Sequence, residues 1–143
     1  MAPKIVENYA GCGVKIGRIV NRIVKFAPPD SVKGLNEILI VNKDPMGKGF
    51  ARYDRTASKI ELYIDDIIGW QPWLLRKSYI FPYIAIGLAL GHELDHHVNR
   101  EMDAINKEKL AETNALRYVY PSLGVFKPVA KLLSFLIRRK TIE

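Results

Sequence analysis

The stretch GHELDHHVNREMD, residues 91–103, combines two histidines four residues apart with a glutamate directly after the first. On a helix, His92 and His96 lie one turn apart on the same face, so both imidazoles can bind one cation at about 2.0–2.1 Å. Glu93 is rotated by roughly 100° from His92, where its carboxylate can hold a water molecule on that cation. The pattern H-E-x-x-H therefore predicts two zinc ligands and the general base of a hydrolase.

The residues before the motif favour a metal site over a solvated helix end, which is the alternative for so short a pattern. YIFPYIAIGLALG, residues 79–91, is apolar and predicts a buried helix that is too short to span a bilayer. Polar groups at the end of a buried helix must be solvated or paired, and a metal would pair both histidines. His97 lies off the ligand face, so we expect it to be exposed or to lie behind the ligands. Asp95 is expected to be a surface charge.

A catalytic zinc ion usually takes three protein ligands and leaves a fourth position for water. Asn99 and Met102 stand where the longer histidine motif has a glycine and its third histidine, and the chain holds no histidine outside this stretch. The third ligand is therefore expected to be a carboxylate from the set Glu101, Asp103, Glu108 and Glu112. The first two are too close to His96 unless the helix breaks sharply. The last two lie one turn apart on the next predicted helix, and the residues alone leave both open.

GHELDHH, residues 91–97, followed by AETNALRY, residues 111–118, resembles the gluzincin metallopeptidases, in which a downstream helix supplies a glutamate as the third ligand. The short chain, the sheet before the motif helix and the brief connector are most similar to the archaeal minigluzincins, and the ImmA/IrrE-type peptidases are similar as well. The likeness covers roughly residues 36–120. It implies a Zn²⁺ site with the ligands His92, His96 and Glu112. One departure is Leu116, which stands where larger gluzincins carry an aspartate that supports a histidine.

The resemblance implies a zinc-dependent peptidase that hydrolyses peptide bonds in a peptide or protein substrate. Glu93 would accept the proton of the zinc-bound water and pass it to the leaving amine. The strand KIELYI, residues 59–64, would pair with the extended substrate at a sheet edge. Minigluzincins resemble zymogens with a blocked cleft, so the amphipathic segment 125–140 is expected either to pack on the core or to cover the site in a latent form.

Two other classes of function stay open beside the peptidase. The net charge of +7 suits a regulatory protein on a zincin scaffold that acts on or near a DNA-bound repressor, as the ImmA/IrrE-type resemblance implies. The sequence shows neither a helix-turn-helix motif nor interleaved aromatic and basic residues, so nucleic-acid binding lacks a motif. A structural zinc site is the second alternative, but such a site gains nothing from the base Glu93. The single cysteine, Cys12, predicts either a buried side chain or a thiolate at the open zinc position.

The elements that must position these residues follow from hydrophobic periodicity. The apolar spacing in VKIGRIVNRIVKF predicts a helix over 14–26, and the prolines of APPD end it. NEILIVNK (36–43) predicts one strand, and 49–66 predicts two strands around a polar turn at Asp54–Ser58. Three helical segments follow, at roughly 76–100, 103–120 and 125–140. The predicted class is α+β, with a small, about three-stranded antiparallel sheet packed with an N-terminal helix, the motif helix, a glutamate-bearing helix and a C-terminal helix.

Length and composition predict one domain over residues 1–143, with a hydrophobic core of its own. A single cysteine excludes an internal disulfide and fits a reducing compartment. The start MAPKIVENYAGCG lacks the continuous apolar core of a secretory signal. Because no segment is long and apolar enough to span a membrane, we expect a cytoplasmic protein without a membrane span.

Overall fold

The computed structural model describes residues 1–11, 13–47, 49–69, 71, 74, 77–129, 131 and 132. Within these residues the chain forms a four-stranded sheet and helices, which confirms the predicted α+β class. The strands are β1 (Lys4–Asn8), β2 (Glu37–Val41), β3 (Ala51–Asp54) and β4 (Lys59–Tyr63). The helices are α1 (Ile16–Phe26), α2 (Pro29–Val32), α3 (Ile64–Gly69), α4 (Ile80–Val98) and α5 (Ala104–Leu123), and a short 3-10 helix follows at Gly124–Phe126.

The sheet differs from the predicted one in the number and direction of its strands. Its order is β1-β2-β4-β3; β1, β2 and β4 run parallel, and β3 is antiparallel to its neighbour β4. The predicted hairpin of β3 and β4 is correct, and β4 also pairs in parallel with β2. β4 brings the fully buried Ile60 and Leu62 to the middle of the sheet, whereas β3, with the sequence ARYD, is polar enough for the edge. The expectation that residues 59–64 offer an edge to a substrate is therefore wrong.

The first strand, β1, is missing from the sequence prediction. It pairs in parallel with β2, with Lys4 opposite Glu37 and Asn8 opposite Val41. Its sequence KIVEN has two adjacent apolar residues and so lacks the alternation that indicates a strand. The chain reaches β2 through α1 and α2, because parallel neighbours need a long crossover connection.

The core lies between the sheet and the helices α1, α4 and α5. Ile38 and Ile40 of β2 are fully buried, as are Ile60 and Leu62 of β4. α4 packs on β3 and β4 and also along α5. The helix with the histidine motif is thus held between the edge of the sheet and a second helix. α1 faces the same core with the apolar stripe Ile16, Ile19, Val20, Ile23 and Val24.

The predicted breaks after α4 and within residues 120–124 are both confirmed. α4 ends at Val98, and Asp103 is the N-cap of α5, where its carboxylate accepts from the backbone N–H of Asn106 at 3.1 Å. α5 then continues through Pro121 and stops at Gly124, whose φ of 54° suits glycine. The proline is tolerated because it lies in the last turn, where it removes one hydrogen bond.

The predicted C-terminal helix, 125–140, is described only in part. Residues 127–129, 131 and 132 are helical, and the rest of the segment after Phe126 lies outside the described residues. Three apolar residues of this segment are exposed: Val125 by 86%, Val129 by 43% and Leu132 by 63%. The expectation of core packing is therefore wrong for the described part of this segment.

Candidate metal centre

His92 and His96 lie on one face of α4, at the i and i+4 positions of the helix. Their Nε2 atoms are 2.9 Å apart, and the two rings meet edge to face with centroids 4.6 Å apart. Together with an oxygen of Glu93, the donor atoms lie within 4.8 Å of one another, which is close enough for a single cation. His96 is buried and His92 is half-buried, so solvent reaches the pair from the side of His92.

The donor set suits a zinc ion. Imidazole and carboxylate are both ligands that zinc accepts. Two ligand atoms bound at 2.0–2.1 Å to a tetrahedral ion lie about 3.3–3.4 Å apart. The two imidazole nitrogens of this site would need to separate by only a few tenths of an ångström to reach that spacing. Burial and the neighbouring His92 both lower the pKa of His96, which favours the neutral ring that binds a metal.

The outer nitrogen of His96 departs from the usual pattern of a metal ligand. A ligating histidine normally donates its second ring N–H to an acceptor, which fixes the orientation of the ring. His96 Nδ1 is buried and has no hydrogen-bond partner among the described residues. Among the described residues, the polar contacts of this ring are therefore those of Nε2, with His92 and Glu108.

Glu93 is 8% exposed and lines the same cleft as the histidines. Burial raises the pKa of its carboxyl to about 7, even though the backbone N–H of Tyr53 donates to the carboxylate and lowers the pKa. The nearby Glu108 carboxylate raises it further. A carboxyl with a pKa near neutrality can both take up and return a proton, as a general base must. Because Tyr53 lies on β3, the edge strand contacts the carboxylate of Glu93 directly.

Glu108, and not Glu112, lies beside the imidazoles. One carboxylate oxygen of Glu108 is 3.1 Å from His96 Nε2, and the other is 3.4 Å from His92 Nε2. Both distances are close to the separation of two ligands on a tetrahedral zinc ion. Glu112 lies one turn further along α5, is exposed, and is not among the described residues that line the cleft. The structure thus favours one of the two carboxylates that the spacing leaves open, while a ligand role for Glu112 stays a prediction.

A close crossing of α4 and α5 sets the distance between the two helices. At Gly91, an added Cβ would collide with the backbone carbonyl oxygen of Ala115. One turn earlier, at Gly87, it would lie 2.8 Å from a methyl carbon of Val119. Later residues of α4 therefore meet earlier residues of α5, and the helices run antiparallel with almost no side chain between them.

The rotation of α5 about its own axis explains the choice of glutamate. A helix turns by 100° per residue, so Glu108 points within about 20° of the direction of Ala115, which touches α4. Glu112 points about 60° away from that direction. Glu108 therefore belongs to the stripe of α5 that faces the histidines.

Two polar residues of α4 lie deeper than the sequence indicates. His97 is 3% exposed. Its Nε2 donates to the backbone carbonyl of Lys33 at 2.9 Å. In the neutral ring the other nitrogen, Nδ1, then accepts from Tyr53 Oη at 2.8 Å. Asp95 is 1% exposed and accepts hydrogen bonds from side chains of α5. The prediction of a surface charge is wrong for Asp95, and the exposed position is excluded for His97. The periodicity of α4 alone does not reveal that β3 covers one side of this helix and α5 the other.

A cleft of about 490 Å³ opens in front of these side chains. β3 forms part of the wall of this cleft. In the sequence, the polar residues ARYD beside the apolar strand β4 are the signal that indicates a strand at the edge of the sheet. None of residues 125–129, 131 and 132 is among the described lining residues, and Cys12 lies outside the described part of the chain. The lining residues are Ala51, Arg52 and Tyr53 of β3, His92, Glu93 and His96 of α4, and Ala104, Lys107 and Glu108 at the start of α5.

No family model, curated protein or solved structure matches this chain. In the part of the chain that the structure describes, the helices are too short or too polar to cross a membrane. A function therefore has to be inferred from the cleft itself, which joins two imidazoles and two carboxylates to an edge strand.

Proposed function

We propose that the protein is a zinc-dependent peptidase in which His92, His96 and Glu108 bind the ion and Glu93 is the general base. The observation that carries this proposal is the convergence of donor atoms. The two Nε2 atoms are 2.9 Å apart, and the carboxylate oxygens of Glu108 lie 3.1 and 3.4 Å from them. An ordinary ion-paired cluster would not need a second, buried carboxylate in the same cleft, and Glu93 supplies one.

A bound zinc ion would lower the pKa of a water molecule and polarise the scissile carbonyl. Glu93 shares the cleft with both imidazoles, so its carboxylate can take the proton of the attacking water and deliver it to the leaving nitrogen. The backbone N–H of Tyr53 favours the charged form of this carboxylate, which is the form that accepts a proton. The low exposure of Glu93 keeps bulk water from competing for the proton.

The strand β3 is the element that would bind the substrate. Within the described residues it pairs with β4 on one side only, and three of its residues line the cleft. An extended peptide can add to such an edge through backbone hydrogen bonds, which would bring its carbonyl group to the histidines. Because backbone pairing needs an extended chain and little side-chain recognition, we propose a peptide or a flexible protein segment as the substrate.

The substitution Glu93→Gln tests the general base. It is expected to abolish hydrolysis of an unfolded protein such as casein but to leave the zinc content of the purified protein unchanged, because an amide keeps the shape of the side chain and cannot accept the proton. Glu101→Gln is the matched control, since Glu101 is 77% exposed and pairs with Arg55 rather than lining the cleft. It should change neither zinc content nor hydrolysis.

Two results would contradict the proposal, and each contradicts a different part of it. A wild-type protein that takes up no zinc would exclude the metal site. A zinc-loaded Glu93→Gln protein that hydrolyses casein as fast as the Glu101→Gln control would exclude Glu93 as the base.

A further inference from the structure

We infer that Asp95 is a positioning residue that fixes the rotation of α5, so that Glu108 and not Glu112 faces the two histidines. This inference rests on the proposed zinc site and extends it to a side chain that is not among the described lining residues of the cleft. Asp95 acts through the helix that it binds and touches none of the reacting groups.

Asp95 accepts hydrogen bonds from three side chains. Tyr118 Oη donates to Oδ1 at 2.8 Å, and Asn114 Nδ2 donates to the same oxygen at 3.2 Å. Asn99 Nδ2 donates to Oδ2 at 2.9 Å from the C-cap position of α4. One buried carboxylate thus ties together the last turn of α4, its cap and the middle of α5.

Stability alone does not explain a carboxylate at this position. Burying a charge costs free energy unless its oxygens are well hydrogen-bonded, and apolar residues of similar size often pack such an interface equally well. The hydrogen-bonding side chains around Asp95 in the described part of the chain are all neutral, so no opposite charge offsets its burial there. Hydrogen bonds add direction, which apolar contact lacks, because they weaken steeply with distance and angle.

The rotation of α5 decides which glutamate reaches the imidazoles. Glu112 follows Glu108 by four residues and is therefore turned by about 40°. A rotation of α5 by this amount would turn Glu112 to the direction that Glu108 now takes and would move side-chain atoms on the helix surface by roughly 3 Å. Asn114 and Tyr118 flank Ala115, the residue of closest approach to α4. A shift of roughly 3 Å would break both of their bonds to Asp95, so these bonds oppose the rotation.

Zinc affinity, measured by competition with a chromophoric chelator, tests the inference without any need for turnover. Tyr118→Phe removes one donor. Asp95→Asn keeps the size of the side chain but removes its negative charge, which weakens the hydrogen bonds that Asn114 and Tyr118 donate, because bonds to an ionised acceptor are about twice as strong as neutral ones. Each is expected to lower the zinc affinity by about tenfold, as changes behind metal ligands commonly do. Tyr120→Phe is the matched control for the lost hydroxyl, because Tyr120 Oη has no hydrogen-bond partner among the described residues. Its zinc affinity should equal that of the wild type.

The decisive measurement combines Asp95→Asn with the two glutamates of α5. In the wild-type background, Glu108→Gln should weaken zinc binding by more than about 100-fold, whereas Glu112→Gln should leave it nearly unchanged. In the Asp95→Asn background this difference should shrink by about tenfold or more, because α5 can then present either carboxylate. Urea unfolding of each apo-protein, measured in parallel, reports the stability separately.

The possible failures are distinguishable. If the wild type binds no zinc, the proposed function fails and the inference fails with it. If the wild type binds zinc and Asp95→Asn lowers only the stability, with the difference between Glu108 and Glu112 intact, the inference alone is overturned. It is overturned as well if Glu112→Gln is the more damaging substitution in the wild-type background.

Discussion

The substitution Gly91→Ala adds one methyl group at the point where α4 and α5 touch. The new Cβ would collide with the carbonyl oxygen of Ala115, which belongs to the backbone and cannot turn aside. Non-bonded heavy atoms need about 3.5 Å, so the helices would have to separate by on the order of 1 Å. Zinc ligands tolerate errors of only about 0.2 Å in their bond lengths. The separation should therefore lift Glu108 away from the imidazoles.

Two opposing effects set the change in stability. Alanine is favoured over glycine inside a helix by about 0.8–1.0 kcal/mol, whereas overpacking a tight contact costs about 1–3 kcal/mol. We expect a net loss of about 0–2 kcal/mol in the free energy of unfolding, together with a loss of zinc affinity of about tenfold or more. The loss of affinity separates this variant from a merely less stable protein.

Two other glycines are matched controls for Gly91→Ala. At Gly87 the added methyl would meet the methyl groups of Val119 at 2.8 and 2.9 Å, and a side chain can rotate away. At Gly69, an added Cβ would meet no described atom within 4 Å, so the methyl has open space. Urea unfolding and chelator competition should therefore rank the losses in the order Gly91, Gly87, Gly69. If Gly91→Ala is as stable as Gly69→Ala and binds zinc as tightly, the close crossing does not position the site.

Two further predictions concern the stability of the fold. Leu90→Ala should lower the free energy of unfolding by about 2–5 kcal/mol, because Leu90 is fully buried in the core. Ile105→Ala, at a side chain that is 83% exposed, should change it by no more than about 0.5 kcal/mol. Equal losses in urea unfolding would contradict the assignment of the core. Hydrogen bonds from the side chain and the backbone N–H of Asn106 lower the pKa of Asp103 below its usual 3.8. The charged cap therefore stabilises α5 fully above pH 3.8, and this stabilisation is lost as the pH falls through the lowered pKa. Asp103→Asn should therefore lose less stability than the wild type between about pH 6 and about pH 2, and parallel thermal unfolding of both proteins across that range would show whether it does.

The motif residues could be predicted because their arrangement is local. A helix places residues i and i+4 on one face whatever surrounds it, so the convergence of His92 and His96 needs no tertiary information. The carboxylate could not be chosen in the same way. Glu108 and Glu112 differ by about 40° in direction, and which of them faces α4 depends on the rotation of α5, which no local pattern encodes.

The same division applies to the rest of the fold. The inward alternation of β4 and its hairpin with β3 are visible in the sequence, because both depend on neighbouring residues. The parallel pairing of β1 with β2 joins segments about 30 residues apart, and no local pattern encodes it. The burial of Asp95 and His97 could not be predicted either, since it depends on which distant elements cover α4.

The antiparallel hairpin of α4 and α5 has a consequence for folding kinetics. The three proposed ligands lie within residues 92–108, so bringing them together closes only a short loop, whereas the sheet requires pairing between distant segments. A hairpin of this kind can form while β1 is still unpaired. Zinc bound there would then stabilise the transition state as well as the native state, and the ion would act on the rate of folding in addition to slowing unfolding.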